Sequence, residues 1–189
     1  MTSVFALQGL CYYGFGAWLS DAYVERGWSQ SAGGGLVAAM TATAVPASFA
    51  FPRAAEHFGS RLRPLFTCAV ALLLGAIVLA TSPSLAWPGI VLVGTGLGGL
   101  FSLCLLLAVD LGRTSNRVSG FTGMMLGLGY TMSAAAPVLL GVARDAAGSF
   151  GAALWLIVAI AGALVVLLVA ARRLLFAPDS VASGFPEDS

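Results

Sequence analysis

The sequence predicts an all-α membrane protein of six transmembrane helices, and three observations carry that prediction. Of its 189 residues, 59% are hydrophobic and only 9% charged, with a mean hydropathy of +0.94. A water-soluble domain carries about 25% charged residues, so this composition calls for lipid as the solvent. Long charge-free runs, each able to hold the ~20 residues that cross a bilayer, alternate with short charged loops. The nine basic residues, all arginine, also fall unevenly on those loops.

Residues 1–20, 27–52, 64–109, 118–143 and 146–171 carry no charge. The third run is long enough for two crossings. Near its middle lies TSPSLAWPG (Thr81–Gly89), whose prolines, serines and glycine make a tight turn and set Trp87 at the membrane interface. The spans are therefore placed at 3–24, 33–52, 64–81, 87–110, 118–142 and 151–172, so that residues 1–172 form one bundle. Residues 173–189, ending in APDSVASGFPEDS, read as a disordered cytoplasmic tail. The N-terminal MTS lacks the basic stretch of a signal peptide.

Numbering the loops alternately puts Arg53, Arg61, Arg63, Arg113, Arg117, Arg172 and Arg173 on one side and only Arg26 and Arg144 on the other. Basic loops stay in the cytoplasm. Both termini are thus expected inside, in a cytoplasmic (inner) membrane.

Several chemistries find no footing. The net charge of +1 and the absence of a basic stripe argue against nucleic acid. Cys11, Cys68 and Cys104 sit in apolar runs and read as small hydrophobes. The single histidine, His57, lies in a loop, which leaves no metal ligand set and no serine–histidine pair within the bundle. No catalytic residue, metal or cofactor is expected, and the chain does not read as an enzyme. GTGLGG at Gly94–Gly99 fits a dinucleotide pattern in form only. It lies mid-span with no strand before it, so close helix packing is its reading. Gly120, Gly123, Gly127 and Gly129 repeat that theme in the fifth span, where Pro137 predicts a kink.

Gln8 and Tyr12 are four residues apart and share a helix face, continued by Phe15 and Leu19. An amide within lipid needs a partner helix or a watery cavity. Thr41, Thr43, Thr95, Ser102, Tyr130 and Thr131 are weaker candidates, because serine and threonine can bond their own helix carbonyls. Asp110, at the cytoplasmic end of the fourth span, reads either as an i,i+3 partner of Arg113 or as a proton-coupling group.

A family resemblance emerges from longer stretches. LQGLCYYGFGAWL (Leu7–Leu19) resembles the seventh helix of the cyanate and nitroimidazole permease branch of the major facilitator superfamily. ERGWSQSAGG (Glu25–Gly34) is similar to its following outer loop, and VPASFAFPRAAEHFGSRLRP (Val45–Pro64) to the end of the eighth helix and the next cytoplasmic loop. That loop is the place of the superfamily's basic signature, of which Gly59, Arg61 and Arg63 remain, with Glu56 and His57 at its acid and base positions. GVARDAAGSFGAAL (Gly141–Leu154) resembles the loop before the last helix.

The resemblance implies the C-terminal half of a major facilitator fold, moving a small solute by alternating access between two six-helix halves. It implies a cavity lined by spans one, two, four and five, with Gln8 and Tyr12 as leading solute contacts and Tyr13 and Trp18 behind them. It also implies a cytoplasmic charge latch of Glu56, Arg61, Asp110 and Arg113. With no basic residue at mid-span, an anion would need an arginine from the other half or helix dipoles. The expected partners are lipid, the solute and a second six-helix half. Because such transporters are about twice this long, three readings stay open: part of a longer transporter, a half that pairs with itself or a separate chain, and a non-transporting remnant or scaffold subunit.

Overall fold

The computed structural model describes residues 2–59, 61–111 and 115–175 of the chain, and these contain no strand. They form α1 (Thr2–Glu25), α2 (Gln30–His57), α3 (Leu62–Thr81), α4 (Ala86–Leu111), α5 (Ser115–Ser133), α6 (Ala136–Ala147) and α7 (Phe150–Leu175), with a short 3-10 turn at Pro83–Leu85 between α3 and α4. Each span placed from the sequence falls on one helix except the fifth, which falls on α5 and α6. α7 runs past the expected end at 172, and the rest of the expected tail, 176–189, lies outside the described residues.

Among the described residues, five stretches are long and apolar enough to cross a membrane: Gln30–His57, Leu62–Thr81, Pro83–Asp110, Thr122–Ala147 and Phe150–Arg172. α1 has the length but not the apolarity. Its position explains this: it contacts α2, α4, α5, α6 and α7, so neighbouring helices rather than lipid cover much of it. Phe5, Cys11, Phe15, Leu19 and Tyr23 along it are all buried.

Each boundary has a local cause. Gly27 takes a left-handed φ of 89° in the α1–α2 turn, a conformation open to glycine. Ser29 then caps α2, its hydroxyl accepting from the Ala32 N–H at 3.2 Å. Pro137 cannot supply the N–H that the Ser133 carbonyl would accept in a continuous helix, and α5 ends at Ser133. Gly148, at φ 68°, closes α6 in the left-handed cap that lets the chain reverse into α7.

The glycines of the fourth span do what close packing requires. A side chain at Gly94 would strike Thr43 and the Met40 carbonyl, and one at Gly98 would strike the Ala44 backbone, so this face lies against α2. One at Gly96 would come within 2.6 Å of the Cys68 carbonyl, so the opposite face lies against α3. In the fifth span the described residues bear out the same expectation for Gly129, which abuts Phe5; a side chain at Gly120, Gly123 or Gly127 would meet nothing within 4 Å among them. All three cysteines are free and buried.

Candidate functional site

A cavity of about 390 Å³ opens between α1, α2, α4 and α5, the same four spans that the resemblance implied. α1 contributes Phe5, Gln8, Gly9, Tyr12 and Tyr13; α2 contributes Thr41, Ala44, Val45 and Ser48. α4 adds Leu97, Gly98 and Phe101, and α5 adds Tyr130. Among the described residues, no charged side chain lines it.

Gln8 is only 5% exposed, and its Nε2 donates to the Leu97 carbonyl at 3.4 Å. That bond directs the amide nitrogen to α4 and leaves the amide oxygen as an acceptor. Tyr12 and Tyr13 are 37% and 39% exposed. Their rings meet edge to face at 5.5 Å, and Tyr13 meets Tyr130 at 6.5 Å. Phe5 links this group to α4 and α5, lying 5.4 Å from Tyr130 and 5.9 Å from Phe101. The three phenols make no hydrogen bond among the described residues, so they are free to donate.

The hydroxyls on α2 are differently disposed. Thr41 Oγ1 donates to the Val37 carbonyl at 3.3 Å and Ser48 Oγ to the Val45 carbonyl at 2.7 Å. With their protons committed, they offer lone pairs. The cavity thus presents acceptors from Gln8, Thr41 and Ser48, donors from three tyrosines, and aromatic edges. Such a surface suits a small, planar, polar molecule and supplies no full charge to hold an ion.

Trp18 is placed elsewhere. Its Nε1–H donates to the Pro137 carbonyl at 2.9 Å and its ring lies 5.5 Å from Phe150, between α1, α6 and α7. At 3.6 residues per turn it lies about 120° round the helix from Tyr12, so it cannot reach the space behind that residue. Conversely, Phe5, Ala44, Val45, Ser48 and Phe101 were not legible as lining residues. The signal for α2 was its spacing: 41, 44, 45 and 48 repeat at helical intervals on one face. Thr43, Ser102 and Thr131 bond carbonyls of their own helices, as threonine and serine commonly do.

Of the four residues in the expected charge latch, the structure joins two. Arg61 Nε lies 2.9 Å from Asp110 Oδ2, tying the start of α3 to the end of α4. Arg61 Nη1 is buried with no hydrogen-bond partner among the described residues. Glu56 is exposed near the end of α2 and makes no ion pair among the described residues. Arg113 lies outside the described residues, so its pairing with Asp110 stays an expectation.

A family model described as Major Facilitator Superfamily matches residues 1–134. The chain belongs to the major facilitator superfamily. It is an integral membrane protein, and every cavity-lining residue, with Arg61 and Asp110, falls inside the matched stretch. Two curated relatives share its superfamily branch. The cyanate transport protein CynX of Escherichia coli (strain K12) is 33% identical over 138 residues, which is 71% of this chain and 35% of that protein. The 2-nitroimidazole transporter of the same strain is 26% identical over 151 residues, 79% of this chain and 38% of that protein. The chain therefore spans little more than a third of the length of either relative.

Proposed function

We propose that the chain forms one wall of the solute path of a secondary transporter of the cyanate-permease type. That transporter would move a small solute by alternating access. The observation that carries this reading is the charge-free cavity, with the Gln8 amide held against Leu97 and three phenols free to donate. The two relatives' names, one for an anion and one for a heteroaromatic ring, bracket the solute class. The lining favours a planar molecule with N–H and lone-pair groups over a lone anion.

The cavity needs a second wall. Val45 and Phe49 on α2, and Leu128 and Met132 on α5, are exposed apolar residues. Among the described residues, a Cβ at Gly120, Gly123 or Gly127 would meet nothing within 4 Å, which leaves that side of α5 open. A second six-helix half fits there, because open glycines let helix backbones approach closely. The arginine distribution supports an inner-membrane orientation with both ends in the cytoplasm, which puts the Arg61–Asp110 pair on the inner face.

The test is uptake of labelled cyanate and 2-nitroimidazole by proteoliposomes carrying the chain, alone and with its second half. Gln8→Ala is expected to cut uptake about tenfold by removing both the acceptor and the tie to α4. Uptake that Gln8→Ala leaves untouched would remove the cavity from the path. No uptake of either solute, with both halves present, would favour a non-transporting membrane protein.

A further inference from the structure

The break between α5 and α6 is spanned from one side by an unbroken helix. Before the break, α1 packs through Phe5 on Gly129 and through Gly9 on Ser133; a side chain at Gly9 would collide with the Ser133 hydroxyl. Ser133 is fully buried, and its hydroxyl donates to the Gly129 carbonyl at 2.7 Å and reaches the Ala6 carbonyl at 3.4 Å. After the break, α1 packs through Gly14 on Leu140, and Trp18 rests against Gly141 while its indole N–H bonds the Pro137 carbonyl. Between these contacts lie Ala134 and Ala135, and α6 starts without a side-chain cap. At the break itself Ala134 N–H donates to the Tyr130 carbonyl at 2.9 Å, Ala135 N–H to the Met132 carbonyl at 3.2 Å and Leu139 N–H to the Ala135 carbonyl at 2.9 Å, while Pro137 removes the main-chain bond that would otherwise reach the Ser133 carbonyl. Tyr130, the α5 residue in the cavity lining among the described residues, stands one turn before the break.

We infer that residues 133–137 are a hinge, and that Trp18 is a positioning residue whose hydrogen bond to Pro137 sets the bend and, through it, the place of Tyr130 in the cavity. The second part rests on the reading of the cavity as the solute site; the hinge does not. Only Trp18 among the four candidates from α1 carries an N–H aimed past the break, and only its indole couples packing on α6 to a fixed hydrogen-bond direction. Solute affinity is then governed by a residue outside the cavity, acting through the bend of one helix.

Two measurements on the full chain in lipid nanodiscs decide this. Spin labels at exposed Met124 on α5 and Val142 on α6 read the bend directly; a straight helix would hold the two positions about 27 Å apart. Trp18→Phe, which keeps an aromatic ring against Phe150 but removes the N–H, is expected to broaden that distance distribution. A second label pair, at exposed Leu74 on α3 and Val91 on α4, stays unchanged and reports that the bundle is folded. An unaltered Met124–Val142 distribution would overturn the hinge. The second measurement is binding of labelled 2-nitroimidazole. Trp18→Phe should weaken it about fivefold, yet add nothing in a Tyr130→Ala background, because residues acting as one unit are not additive. An undiminished loss in that background would sink the link to Tyr130. If the unaltered chain binds no 2-nitroimidazole, the solute reading loses support while the label distances still judge the hinge.

Discussion

Two adjacent residues at the end of α1 reach in different directions. Arg26 donates from Nη1 to the Leu79 carbonyl at 2.7 Å and from Nη2 to the Ala80 carbonyl at 2.8 Å, while its guanidinium lies 5.3 Å from the centre of the Tyr23 ring. Tyr23 adds its own bond to Leu79 at 3.1 Å. Glu25 accepts from the N–H of Phe150, the first residue of α7, at 3.3 Å. A cation thus meets the negative end of α3 and an anion the positive end of α7, each opposing the dipole of the helix it caps. This also accounts for one of the two arginines that depart from the cytoplasmic bias: Arg26 is held by helix ends. Arg26→Ala should cost about 1–2 kcal/mol, the usual worth of charged hydrogen bonds near a helix end. Arg26→Lys should recover only part, because one ammonium cannot match a planar fork set on two carbonyls. Reversible unfolding in mixed micelles reads both values, and equal stability of the alanine, lysine and native chains would refute the capping role.

Among the helices, α4 is the most tightly held, pressed on α2 through Gly94 and Gly98 and on α3 through Gly96. Gly98→Val is expected to destabilise the bundle by about 1–3 kcal/mol, since the added carbons meet the Ala44 backbone rather than a side chain that could turn away. Because Ala44 and Gly98 both line the cavity, forcing α2 from α4 should also weaken solute binding; thermal unfolding and binding of 2-nitroimidazole check the two effects, and a fully stable variant would contradict the close approach. At this scale the sequence was legible wherever a physical penalty leaves a mark. Charges are excluded from lipid, so the spans stood out. Pro137 announced the kink, and its missing N–H explains why α5 stops at Ser133, four residues earlier. The glycines were ambiguous: Gly98 and Gly123 look alike as letters, yet one meets a backbone and the other meets nothing, because contact depends on which way each helix turns. α1 escaped the apolarity that marks a span because its neighbours shield it. The same helix carried the clearest site signal, Gln8 with Tyr12, since a buried amide must be satisfied. The α2 stripe was quieter, as Thr41 and Ser48 bond within their own helix and look structural.

For the molecule as a whole, the proposed alternating access needs a device that favours one closed end over the other, and on that proposal the Arg61–Asp110 pair acts as one. It joins the start of α3 to the end of α4, on the face that the proposed orientation puts in the cytoplasm. Both partners remain partly exposed, at 31% and 40%, and exposed ion pairs contribute about 0–1 kcal/mol. That is too little to hold a bundle whose helices interlock through glycine contacts, so losing the pair should leave the fold intact. The same energy is enough to change a two-state balance, since 1 kcal/mol alters a population ratio about fivefold. Arg61→Ala should therefore slow turnover about fivefold or alter the ratio of states, while solute affinity in the cavity changes little. The exchanged variant, Arg61→Asp with Asp110→Arg, restores opposite charges across the same gap and should recover part of the rate. Salt supplies an independent check: a partly exposed pair is screened, so the native chain should move toward the behaviour of Arg61→Ala as ionic strength rises. Uptake kinetics in proteoliposomes, fitted separately for affinity and maximal rate, distinguish the outcomes. Weakened affinity with an unchanged maximal rate would move this pair from the switch to the solute path, and failure of the exchanged variant alongside a normal fold would show that geometry at Arg61, rather than attraction between opposite charges, is what the inner end requires.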